Sequence, residues 1–135
     1  MRTKPSLTAS DAQKIAAACK VEAEKNAWKV SIAVVDEGGY LLHFERMDGV
    51  SLPSIDIAIG KGRTAALSKT ATKILEDTVK ERPAMLSFPG RVPVQGGVAL
   101  FYEGECVGGI GVSGVKSPED EQIAIAGSRV FSIFE

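Results

Sequence analysis

The segment from Glu105 to Glu121, ECVGGIGVSGVKSPEDE, constrains this chain more than any other. Its first part reads as a strand from Cys106 to Ser113, in which alternate side chains fall on opposite faces of the pleat. Cys106, Ile110 and Val112 then share one face, while Val107, Gly109, Gly111 and Ser113 share the other. Glycine inside a strand forfeits side-chain packing and costs backbone entropy, so four glycines between Gly108 and Gly114 predict that a ligand or a second subunit approaches this backbone closely. The chain then turns at Gly114 into a helix marked by Ser117 as cap, Pro118 at the first helical position and Asp120 completing a capping box. Free amide N–H groups and the positive end of the helix dipole make this corner a candidate anion site, with Ser113 and Ser117 as hydroxyl donors. The competing reading is a well-capped structural helix.

A chain of 135 residues, 44% hydrophobic and 24% charged, is long enough for one core and too short for two ordinary domains, so residues 1–135 are expected to form a single domain. The formal charge of −1 argues against nucleic acid as a partner. Lys61, Arg63, Lys69, Lys73, Lys80 and Arg82 make the middle locally basic, but Glu76, Asp77 and Glu81 interrupt them, as on a solvated helical face. Cys19 and Cys106 are too few for a disulfide framework and read as buried free thiols. No run reaches membrane-spanning length and the first residues lack an apolar signal core. The expected setting is the cytoplasm, without a membrane partner.

In chain order, Thr8 and Asp11 announce a capped helix, with Leu7 placed to staple its first turn. A strand from Val30 to Asp36 and a return strand from Tyr40 to Arg46 flank Glu37-Gly38-Gly39, the turn chemistry of a hairpin. Tyr40, Leu42 and Phe44 are assigned to the core face of the return strand, which sends His43 and Glu45 the other way. From Ser54 the period becomes helical, with Ile55, Ala58, Ile59 and Ala66 on the stripe and Lys61 and Arg63 off it. A further helix ends at Arg82-Pro83. Residues 83–97 hold three prolines and three glycines and form a candidate lid or subunit-contact loop. A second hairpin turns at Glu103-Gly104 before the final helix. Two hairpins with helices gathered around them predict an α+β domain built on an antiparallel sheet of four to five strands.

The segments VVDEGGYLLHFERMDG (Val34 to Gly49), AIGKGRTA (Ala58 to Ala65), QGGVALFYEGECVGGIGVSG (Gln95 to Gly114) and EDEQIAIAG (Glu119 to Gly127) resemble the GlcG/HbpS family, also called the haem-degrading domain family, which includes a domain of PduO-type cobalamin adenosyltransferases. The resemblance implies a profilin-like sheet flanked by helices, a homo-oligomer, and a small-molecule pocket near the RMDG turn, the KGRTA helix and the strand-to-helix corner. It also implies haem or a related tetrapyrrole as the ligand class. Haem iron is held by His, Cys, Met or Tyr, and this chain offers His43, its one histidine, besides Met47, Met85, Cys19, Cys106, Tyr40 and Tyr102. His43 is the candidate metal ligand should haem bind.

The alternative is a catabolic isomerase, tautomerase or lyase acting on a small carboxylate-bearing metabolite. Arg46 would grip the carboxylate with its fork, Lys61 would supply a point charge or a tunable base, and Asp120 or Glu119 would move a proton. Asp48, Thr64, Gly111, Ser113 and Ser117 complete the candidate ligand-binding set, and Asp36, Glu45 and Glu121 stand near it. Each has a bland competitor, since Asp36 and Asp48 form turns and Asp120 caps a helix. A third class is a scaffold subunit without chemistry, in which the glycine face lets neighbouring protomers pack.

Overall fold

The computed structural model describes residues 1–134. Strands β1 (Ser31–Asp36), β2 (Leu41–Arg46), β3 (Gly97–Tyr102) and β4 (Glu105–Ser113) form one antiparallel sheet in the order β2-β1-β4-β3. With helices α1 (Ala9–Lys25), α2 (Ser54–Ser68), α3 (Thr72–Glu81) and α4 (Ser117–Phe134) the architecture is α+β, as the two hairpins predict. None of the described helices is long and apolar enough to cross a membrane.

Helices α1 and α4 cover one face of the sheet. Ile32 and Val34 of β1 and Ile110 and Val112 of β4 meet Ile15 and Ile123 there, all fully buried. Burial of such side chains contributes about 1.5–3 kcal/mol each, which makes this layer the main source of stability. The start of α1 follows its sequence: the Asp11 amide donates to Thr8 Oγ1 at 3.1 Å and the Thr8 amide donates to Asp11 Oδ2 at 2.9 Å, a complete capping box. Leu7 is buried beside it. Cys19 lies in the same core, where burial pushes its thiol up to about 12, so it is an inert packing group. Cys106 is only half-buried, against the expectation for both cysteines.

Helix α2 covers the other face, and it explains the glycines. A Cβ on Gly111 would run into the Ala58 carbonyl, and one on Gly109 would crowd Ala66 at 3.2 Å. The close approach is therefore made by a helix of the same chain, not by a ligand or a second subunit. The helix offers an equally spare surface in Ala58, Gly62, Ala65 and Ala66, all buried. Backbone meets backbone because neither side carries bulk.

Two irregularities in the ladder overturn face assignments. Leu100 pairs with Gly108 and Phe101 with Cys106, so Val107 is an extra residue. Val107 consequently joins the core beneath α1 and α4, and Cys106 turns toward Ala66 of α2, the reverse of simple alternation. Likewise Val34 pairs with His43 and Val35 with Leu41, leaving Leu42 extra. Cross-strand partners share a face, so His43 lies on the α1 side with Val34 while Phe44 lies opposite Ala33 on the α2 side. Tyr40 is exposed, its ring under the Arg63 guanidinium at 5.6 Å.

Candidate functional site

Lys61 was expected off the buried stripe of α2, but it is on it. Its side chain is 2% exposed, and Nζ donates to the Val112 carbonyl at 2.9 Å and to Asp120 Oδ2 at 3.2 Å. Asp120, also 2% exposed, accepts from the Val115 amide at 3.1 Å through its other oxygen. Burial pushes the Asp120 carboxyl above the usual carboxylate range, against the pull of the Lys61 ammonium and the Val115 amide. The pair joins α2, on one face of the sheet, to the first turn of α4, on the other. A substrate cannot reach groups sealed to this degree.

The strand-to-helix corner is closed in the same way. Asp120 takes the Val115 amide, Glu119 Oε1 takes the Lys116 amide at 3.3 Å, and the Glu119 and Asp120 amides both donate to the Lys116 carbonyl. The chain's own carboxylates thus occupy the proposed anion site. Asp120 does not complete a capping box with Ser117; Glu119 plays that reaching-back part, toward Lys116. Ser113 is buried beside Ser31 in the ladder, and Ser117 is half-buried. Gly111 lies beneath α2 and offers no surface to a ligand.

Thr64 is a loop anchor. Its hydroxyl donates to the Gly60 carbonyl at 2.7 Å and accepts from the Val92 amide at 2.7 Å. Gln95 adds two ties, its amide to Glu76 and its side chain to Glu121, so the proline-rich connection is strapped down rather than hung as a free lid. Thr64→Val keeps the shape and removes the acceptor, leaving the Val92 amide unpaired. We expect a loss of about 1–3 kcal/mol and faster proteolytic cleavage within residues 83–96. Cleavage at the wild-type rate would show that the anchor does not hold the loop.

Arg46, Asp48, Glu45 and His43 gather at the β2 edge, away from Lys61. A cleft of about 320 Å³ there is lined by Lys20, Glu24, Lys29, Glu45, Arg46 and Asp48 among others. Its three cations are matched by three carboxylates, so Arg46 has no unopposed charge to offer an anion. His43 is 28% exposed, with Nε2 3.8 Å from Glu45 Oε1, and Lys20 stands 3.7 Å from the same carboxylate.

A second cleft, of about 340 Å³, was not foreseen as a site. It lies between the segment before α1, the first turns of α1, the free end of the β3–β4 hairpin and the far end of α4. Leu7, Val107, Val130 and Phe131 supply apolar wall, and Lys14, Asp11 and Tyr102 the polar groups. Tyr102 packs edge-to-face on Phe131, ring centroids 6.5 Å apart at 63°. Sequence reasoning named Tyr102 only as one of several iron donors. Nothing in sequence spacing joins residue 7 to residues 102 and 131; chain topology does.

Residues 7–129 match the family described as haem degrading protein HbpS-like. The protein GlcG of Escherichia coli K12 is 42% identical over 114 residues, 84% of this chain and 85% of GlcG. Among solved structures, a double mutant of HbpS from Streptomyces reticuli superposes with a TM-score of 0.91 at 37% identity, covering 96% of this chain and 90% of that one. The PduOC:haem complex superposes with a TM-score of 0.84 at 29% identity, covering 92% and 94%.

Proposed function

Because this chain belongs to the HbpS-like family, we propose that it binds haem or a closely related tetrapyrrole and acts as an assembly of identical subunits. The observation that carries this reading is its likeness, over nearly the full length of both chains, to the PduOC:haem complex. The alternative, a proton-transfer enzyme acting on a small carboxylate, loses its machinery: Lys61 and Asp120 are sealed, the helix corner is filled by Glu119 and Asp120, and Arg46 is balanced by its neighbours. Exposed Tyr40 and Leu41 on the β2 edge, with Leu86 and Phe88 of the long connection, are apolar surface suited to self-association. The two unpaired thiols suit a reducing cytoplasm.

A porphyrin needs apolar walls, a donor for iron and cations for its carboxylates. His43 supplies a donor, but Lys20, the cation near it, is already paired with Glu45. The cleft beside Tyr102 has the walls, a phenol and a lysine, and its size falls within the range of small-molecule sites. The residues there fit the group. Bound haem would bring a redox-active iron and a Soret band to the protein.

Titration of the purified protein with haemin tests the reading. We expect a sharpened, shifted Soret band that saturates at a fixed stoichiometry per subunit. A linear, unsaturable rise would remove the proposal.

A further inference from the structure

We infer that Tyr102 is the iron-ligating residue of the tetrapyrrole site, with Lys14 as the partner of a tetrapyrrole carboxylate; this assignment rests on the binding function proposed above. Four features of the cleft point to it. First, the phenol is already placed: Phe131 holds the Tyr102 ring edge-on, and the Tyr102 hydroxyl makes no hydrogen bond among the described residues. Second, Lys14 forms no ion pair among the described residues and stands at the same cleft. Third, Asp11, the acid that would otherwise compete for Lys14, is committed to the capping box through the Thr8 amide. Fourth, the surrounding wall of Leu7, Val107, Val130 and Phe131 is apolar, which favours a flat, largely apolar ligand over a polar metabolite.

Phenolate oxygen is an established class of axial donor to ferric haem. On coordination, Tyr102 gives its hydroxyl proton to water and an oxygen lone pair to the ferric iron, displacing a water or hydroxide from it. No electron is transferred, and the iron stays ferric. The other cavities serve less well. That beneath the proline-rich connection, about 210 Å³ and lined by Leu75, Val79, Met85 and Phe88, has Arg91 as its cation, and that guanidinium already donates to the Pro89 carbonyl.

The test compares wild type, Tyr102→Phe, Lys14→Ala and His43→Ala by haemin titration, with resonance Raman spectra of the ferric complexes. Tyr102→Phe keeps the ring and its packing on Phe131, and circular dichroism melts would check that it folds as the wild type does. We expect the wild type to show phenolate–iron vibrations that Tyr102→Phe lacks, with affinity lowered about tenfold or more. Lys14→Ala should weaken binding roughly two- to fivefold, less at high salt, as for an exposed ion pair. His43→Ala should leave spectrum and affinity unchanged. If haemin saturates the wild type and Tyr102→Phe shows the same spectrum and affinity, the assignment of Tyr102 is wrong while haem binding stands. Loss of binding in His43→Ala alone would move the iron to the β2 edge. Absence of saturable binding in the wild type would end both claims together.

Discussion

Asp120→Ala is expected to lose about 3–5 kcal/mol of folding stability, because it leaves the Lys61 ammonium buried with no countercharge and strips the Val115 amide of its acceptor. Asp120→Asn should cost less, because it keeps one of the two acceptor oxygens and the side-chain volume. Its amide oxygen still accepts from Val115 or Lys61, although the countercharge to Lys61 is lost; in the wild type, burial raises the Asp120 carboxyl above its ordinary value. The sign of the pH dependence follows from that direction. Between the ordinary carboxylate pKa of 3.8 and the raised folded one, the native protein holds this proton and the unfolded chain does not. The contribution of Asp120 to stability therefore falls as pH climbs through that window, and Asp120→Asn should lack this component. Urea unfolding at several pH values measures both effects. A loss below about 1 kcal/mol in Asp120→Ala would mean that Lys61 escapes to solvent and that the pair is not the tie between α2 and α4.

Gly111→Val is expected to prevent normal folding, with a destabilisation beyond about 4 kcal/mol, among the largest that single substitutions produce. The new side chain would enter the space held by the Ala58 carbonyl and the Gly62 amide, and backbone atoms of a packed helix cannot rotate aside as a side-chain tip can. Helix α2 would have to lift from β4 along the whole seam, exposing Ala33 and Val35 beneath it. Soluble expression and near-ultraviolet circular dichroism would report the outcome. A variant that melts as the wild type does, but has lost its oligomeric state or its ligand, would restore the view that this face meets a partner instead of α2.

Much of the secondary structure was legible in the residues. The capping box of Thr8 and Asp11, the turn chemistry of Glu37-Gly38-Gly39 and of Glu103-Gly104, and the stop at Arg82-Pro83 all depend on residues within four positions of one another, so local sequence carries them. At Glu103 and Gly104 the backbone has positive φ at both positions, 49° and 79°, as a tight two-residue hairpin turn requires. Side-chain faces were less legible. Extra residues at Leu42 and Val107 break the alternation, and a single inserted residue sends every later side chain on that strand to the opposite face. His43 changed faces for this reason alone.

The candidate site was the least legible part. Arg46, Lys61 and Ser113 read as a polar set, yet Lys61 is a sealed tie and Arg46 stands in a charge-balanced cleft at the β2 edge. Charged residues identify themselves in a sequence, but whether a charge faces substrate or another buried charge depends on which helix ends meet. Conversely, Leu7, Lys14 and Phe131 carry no motif, and they share a cleft only because the first helix and the last pack side by side.

What the sequence by itself determined is the set of elements, their order, the antiparallel character of the two hairpins and membership of the family, since each rests on short-range periodicity or on motifs that survive as strings. What only the tertiary structure decided is the use of each element's surface. The glycine row of β4 became a seat for α2, the helix corner was filled by its own carboxylates, and an apolar cleft opened beside Tyr102. The physical reason is that burial, and with it the cost of an unpaired charge or an added methyl group, is a property of what lies opposite a residue in space, often a hundred positions away in the chain.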